Sequence, residues 1–140
     1  MQKNSPRKIF WQRLENADAG SALDVAEAVD ALQFNEDGLL PVIAQCASTR
    51  RVLMMAWMNR AALQQTLASG WMTYYSRSRG CLWQKGGTSG NVQALLSLAA
   101  DCDGDALLAQ VRQTNAACHT LRRSCFYVQL APAGGIAADD

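Results

Sequence analysis

V-Q-A-L-L-S-L-A-A-D-C-D-G-D-A-L-L-A-Q-V-R-Q, residues 92–113, reads as two apolar strands on either side of an acidic turn. Val92 to Ala100 and Ala106 to Gln113 carry the strand signal. Asp103-Gly104 between them is a hairpin dipeptide, because both residues accept the backbone angles of a tight reversal. Asp101, Asp103 and Asp105 then ring the tip of the hairpin, with Cys102 among them.

Upstream, Leu39 to Cys46 and Arg51 to Trp57 are two further apolar runs with a Ser-Thr-Arg link, which predicts a second hairpin. The run V-L-M-M-A-W-M is apolar on both faces and so predicts a central strand, with its methionines as core filler. Asn59 caps a helix over Arg60 to Ser69, and Gly70 ends it. Residues 71–76, W-M-T-Y-Y-S, read as a strand, 114–125 as loop, and Phe126 to Leu130 as a last strand. Residues 21–33 predict an amphipathic helix capped by Ser21 or Asp18. Ala22, Val25, Ala26, Val29 and Leu32 lie on its apolar face, and Asp24, Glu27 and Asp30 on its polar face. Residues 1–17 show no clean period and read as a tail or short arm. The sum is an α+β fold: a mostly antiparallel sheet with two or more short helices. It divides into an N-terminal extension (1–33), a main domain (34–130) and a flexible tail (131–140).

A chain of 140 residues with 49% hydrophobic and 18% charged residues fits one soluble domain. A net charge of +1 gives no global attraction to nucleic acid or membrane. No apolar run follows the N-terminal charges, so neither a signal peptide nor a membrane span is expected. Five cysteines, at 46, 81, 102, 118 and 125, form an odd and irregular set. That argues against a disulfide framework and for reduced thiols in the cytoplasm.

Three of those thiols (Cys102, Cys118, Cys125) and the only histidine, His119, crowd into residues 101–127 beside the aspartates. The cysteines lack the paired C-x-x-C spacing of a closed zinc ribbon. Three thiolates with a fourth position open describe a catalytic zinc; buried, inert thiols fit the spacing equally well. His119 adjoins Cys118, so sharing one metal would strain the chain, and a general acid or base role suits it better. The aspartates fail as a calcium loop, because its sixth position would be Ala106 and its twelfth Arg112. A partly hydrated magnesium site suits them, and a solvated turn is the bland alternative. Residues 76–90, S-R-S-R-G-C-L-W-Q-K-G-G-T-S-G, combine Arg77, Arg79 and Lys85 with hydroxyls and glycines around Trp83. That is either a phosphate cradle or a solvated basic loop. It is not a Walker loop, and no G-x-G-x-x-G follows a strand.

The blocks D-G-L-L-P-V-I-A-Q (37–45), V-L-M-M-A-W-M-N-R-A-A-L (52–63), Y-S-R-S-R-G-C-L-W-Q-K-G-G-T-S-G (75–90), D-C-D-G-D-A-L-L (101–108) and C-H-T-L-R-R-S-C-F-Y (118–127) resemble the phosphoribosyl-AMP cyclohydrolases of histidine biosynthesis. The resemblance implies hydrolysis of the N1–C6 bond in the purine ring of N1-(5-phosphoribosyl)-AMP by a zinc-activated water. It also implies an intertwined homodimer. Zinc (Zn2+) would lie between Cys102 of one copy and Cys118 and Cys125 of the other, with magnesium (Mg2+) at Asp101, Asp103 and Asp105. His119 would be catalytic. Arg77, Arg79, Trp83, Lys85, Thr88 and Ser89 would contact substrate. The chain departs from the family pattern at Asn91, where histidine is common, at Gly87, where glutamate is common, and at Ala62. Two competing functions are a relative acting on another purine nucleotide and a zinc-stabilised nucleic-acid-binding module. The small net charge and the absence of a four-ligand zinc set weigh against the latter.

Overall fold

Alternation on two strands fixes the centre of the molecule. The computed structural model describes residues 5–137. In it the strand β1 (Leu40–Cys46) turns Leu40, Val42 and Ala44 inward, and β6 (Leu107–Gln113) turns Leu107, Ala109 and Val111 inward. The two run parallel, with Val42 opposite Leu107 and Ala44 opposite Ala109. Period-two burial on neighbouring strands therefore makes one continuous apolar row. β2 (Val52–Met58) and β5 (Gln93–Ala100) add antiparallel partners, giving the order β2-β1-β6-β5. The fold is α+β and mostly antiparallel, as the sequence implies. β2, however, is an edge strand rather than a central one. β1 offers its other side to β6, and Leu53, Met54 and Met58 of β2 are buried by side-chain packing alone.

The helices α1 (Pro6–Leu14), α2 (Val25–Ala31) and α3 (Arg60–Ser69) supply the rest of the core. Phe10, Trp11, Ala31, Leu32, Ala62 and Leu63 join the inward row in one cluster with Met58, Met72 and Tyr74. Each of the larger aliphatic side chains, fully buried, stabilises the fold by about 1.5–3 kcal/mol before entropy is counted, and each alanine by less. α3 starts and stops where expected: Asn59 accepts from Ala62 N–H, and Gly70 closes it at φ 80°. Thr66, buried on this helix, takes Thr73 N–H on its hydroxyl and gives its own proton to Ala62 O, locking helix to strand.

Four local expectations are corrected. Residues 6–14, read as a tail or short arm, form a helix that packs on the core through Phe10 and Trp11, with Ser5 as N-cap and Pro6 in the first turn. α2 is shorter than 21–33 and is capped by Asp24; Val25 is exposed, and burial concentrates at Ala31 and Leu32. The basic stretch 76–90 is not one loop, because β4 (Cys81–Gln84) runs through it and pairs with β3 (Thr73–Ser76). Beyond β7 (Val128–Ala131), residues 134–137 form β8 rather than a tail. Residues 138–140 of the expected tail lie outside the described residues. No described helix is long and apolar enough to cross a membrane.

Candidate metal and substrate site

The edge of β2 is where the cysteine loop attaches. An open strand edge presents unpaired backbone groups. Leu53 O on that edge accepts from Cys125 N–H at 2.7 Å, and Val52 O accepts from the buried Ser124 hydroxyl at 2.7 Å. Residues 117–123 fold back as a turn, with Cys118 N–H donating to Arg122 O and Leu121 at φ 70°. The two anchorages place the thiols of Cys118 and Cys125 near enough to shift each other's titration.

The pair is electrostatically asymmetric. Burial pushes the Cys118 thiol up. Hydrogen bonds from the side chain and backbone of Thr120 and from Cys125, helped by the Arg122 charge, outweigh burial and leave it below its usual value. Thr120 Oγ1 lies 3.0 Å and Thr120 N 3.5 Å from Cys118 Sγ. Cys125 is pushed up to about 11, first by burial and then by the Cys118 thiolate it faces, with Lys85 opposing. Two thiols that compete for one proton are a pair that a bound cation would stabilise. Lys85 supplies part of that charge while its Nζ donates to Ala117 O at 2.5 Å.

Cys102 is elsewhere. It sits on the acidic turn at the start of β6, while Cys118 follows the strand's end, and seven extended residues span roughly 20 Å. Among the described residues, no group of three or more His, Cys, Asp or Glu side chains of one chain is placed to hold a metal ion. The donor chemistry at Cys118 and Cys125 fits a soft divalent ion as half a ligand set. The aspartates are less prepared. Asp101 Oδ1 already accepts from Asp105 N–H at 3.0 Å. Burial pushes Asp101 up, but hydrogen bonds from the turn's amides bring it below its usual value. Asp105 is raised, by its hydrogen bond with Asp101, by burial and by repulsion from Asp101 and Asp103. Crowded carboxylates of that kind suit a largely hydrated cation rather than a tight cage.

The basic residues fall into two groups at opposite ends of β4. Arg77 and Arg79 occupy the β3–β4 turn, where Arg77 stacks over Trp57 with its guanidinium carbon 4.9 Å from the ring centre. Thr88 and Ser89 are exposed in the turn after β4. Trp83 is half-buried against Tyr74, ring centres 5.2 Å apart. His119 is exposed beside Cys118. Sequence reasoning assigned no site role to the neighbours of Asn91. Its carbonyl accepts from Gln113 Nε2 at 3.1 Å, and its side-chain oxygen from Asn115 Nδ2 at 3.3 Å. These contacts tie the β4–β5 turn to the segment leading into Cys118. The close approach that permits them shows in sequence only as the repeated glycines of 86–90.

Residues 54–127 match the family model described as Phosphoribosyl-AMP cyclohydrolase. A protein of that name from Halorhodospira halophila is 58% identical over 113 residues, covering 81% of this chain and 80% of the relative. The namesake from Alkalilimnicola ehrlichii is 56% identical over 121 residues, 86% of this chain and 85% of its own. That from Rhodospirillum rubrum is 57% identical over 106 residues, covering 76% and 74%.

Proposed function

This chain belongs to the phosphoribosyl-AMP cyclohydrolase family and is a hydrolase of histidine biosynthesis acting on a cyclic amidine; from that premise we propose that it opens the purine ring of N1-(5-phosphoribosyl)-AMP at the N1–C6 bond, with zinc shared between two copies. The observation that carries the reading is one loop, anchored on Val52 and Leu53, that sets Cys118 and Cys125 near enough to shift each other's titration beside exposed His119. Cys118 and Cys125 of one copy and Cys102 of the other would hold the ion. Zinc so held would supply Lewis acidity that makes water a nucleophile at neutral pH. Asp101, Asp103 and Asp105 would hold a hydrated magnesium.

The chain's own side chains do the rest. Water adds at C6, the N1–C6 bond breaks, and N1 takes up a proton as the ring becomes a carboxamide and a formimino group. His119, next to a ligand and open to solvent, is the group that moves this proton. The substrate carries two phosphates. Arg77 and Arg79 at one end of β4, and Thr88 and Ser89 at the other, offer two separate anion-binding patches roughly 10 Å apart by strand length. Lys85 steadies the Ala117 carbonyl and biases Cys125, so its contribution is to the cysteine loop as much as to phosphate. Trp83 shapes the wall through Tyr74.

A homodimer is supported by the sheet's outer face. Met55, Ile43 and Leu108 stand opposite one another across three strands and are 42%, 38% and 37% exposed. An apolar row of that kind suits burial against a like surface. The thiols require a reducing compartment, which makes the cytoplasm the proposed location.

The test is ring opening of phosphoribosyl-AMP followed spectroscopically, with and without a chelator. Activity that the chelator abolishes and zinc restores is expected; full activity in chelator would sink the metal reading. His119→Ala is expected to lower kcat by about 10²–10⁴-fold, the usual worth of a positioned acid or base, while zinc content stays at the wild-type level. Unchanged turnover would remove His119 from the reaction.

A further inference from the structure

The turn D-C-D-G-D places three like charges within five residues, which favours an open, mobile loop. Its own bonds are few: Asp101 N–H to Ala106 O, Gly104 N–H to Asp101 O, and Asp105 N–H to Asp101 Oδ1. The remaining constraint comes from far upstream. Gln33 N–H donates to Gly104 O at 2.8 Å, and Gln33 Nε2 donates to Asp103 O at 2.6 Å. Both carbonyls at the tip are therefore held by one residue just past α2.

Trp11 completes the clamp. A Cβ on Gly104 would lie 2.0 Å from Trp11 Cε2 and 2.2 Å from Nε1, so the indole rests directly on the glycine's Cα. The indole is itself fixed, because its Nε1–H donates to Ala31 O at 2.7 Å. Gly104 is consequently buried while Asp101, Cys102, Asp103 and Asp105 around it are exposed. With the turn's backbone pressed against α1 and Gln33, the thiol and the carboxylates face outward. Neither Trp11 nor Gln33 lies within residues 54–127, the span matched by the family model.

We propose that Trp11 and Gln33 are positioning residues of the N-terminal segment that set the direction of Cys102 and the acidic turn, and thereby the tightness with which two copies hold zinc. The proposal rests on the reading of Cys102 as a zinc ligand from a second copy. Residues that orient a ligand without touching the metal change affinity while leaving the ligand set intact.

The experiment uses the full-length protein with zinc as the only added probe. Zinc retention against a competing chelator, backbone hydrogen exchange across residues 101–106, and thermal unfolding are measured for Gln33→Ala, Trp11→Ala and Trp11→Phe. Gln33→Ala and Trp11→Ala are expected to retain zinc about 10–100-fold less tightly, the usual effect of losing a ligand's supporting partner. Their turn amides should exchange faster, and Trp11→Phe should recover most of both effects because a ring still covers Gly104. Should Trp11→Ala fail to fold, Gln33→Ala decides, since it removes one half-buried side chain from outside the core. Wild-type zinc retention and wild-type exchange in folded Gln33→Ala would overturn the proposal. Cys102→Ser separates the two readings. If it retains zinc like the wild type, Cys102 is not a ligand. The exchange rates then decide alone, faster exchange supporting the clamp and unchanged exchange removing it.

Discussion

Cys118→Ser is expected to come off the column without stoichiometric zinc and without ring-opening activity, yet folded. Zinc binds thiolate, and a serine hydroxyl stays protonated near neutral pH. A zinc site binding with about 10–16 kcal/mol over about four ligands loses about 2.5–4 kcal/mol with one of them, on the order of 10²–10³ in affinity. The fold should survive because a serine oxygen can still take the bonds from Thr120 that Cys118 Sγ accepts. The other cysteines are the control. The Cys46 thiol is pulled down to about 6 by hydrogen bonds from Ser48 and Thr49, which makes it an intrinsically good ligand. It lines a cavity with Thr49, Arg51 and Arg123, and among the described residues it joins no group of three or more potential metal ligands. Cys46→Ser should therefore keep its zinc, as should Cys81→Ser. Metal analysis of the three purified proteins checks this, and full zinc in Cys118→Ser alone would end the ligand assignment.

That contrast marks what residue order does and does not encode. The hairpins were legible wherever a period-two run met a turn dipeptide, as at Asp103-Gly104, and α3 was legible from Asn59 and Gly70. The parallel pairing of β1 with β6 was not, because no local signal says which strands of the two hairpins meet; that choice put β2 on the edge and gave the cysteine loop its anchorage on Leu53. α1 was missed although Ser5-Pro6 is a helix-start signal, because Phe10 and Trp11 bury against other elements rather than along a stripe. At the site, motif blocks named the cysteines and His119, and the fold pairs only Cys118 with Cys125 within one chain. The basic stretch was read as a unit because composition carries no geometry, and β4 divides it. Family membership then favours the hydrolase over the nucleic-acid-binding module.

Gly86→Ala is expected to destabilise the protein by about 2–5 kcal/mol, which for a chain of this size lowers Tm by roughly 10 °C or more. Two costs combine. Gly86 sits at φ 77°, where an L side chain is strained. A Cβ there would also meet Asn91 C at 2.3 Å, Val92 N at 2.4 Å and Asn91 O at 2.5 Å, all backbone atoms that cannot swing aside. Gly90 separates the two costs. It has φ 82° but nothing within 4 Å of its missing Cβ, so Gly90→Ala carries only the conformational cost of about 1–2 kcal/mol. The difference between the two Tm shifts measures the close approach itself. Relief of the clash must move Asn91, which Gln113 and Asn115 hold against the end of β6 on the way to Cys118. Gly86→Ala should thus also raise KM, while Gly90→Ala should leave it near the wild-type value. Equal Tm losses in the two variants would mean that the turn tolerates a displaced Asn91, and that glycine serves at 86 only for its backbone angle.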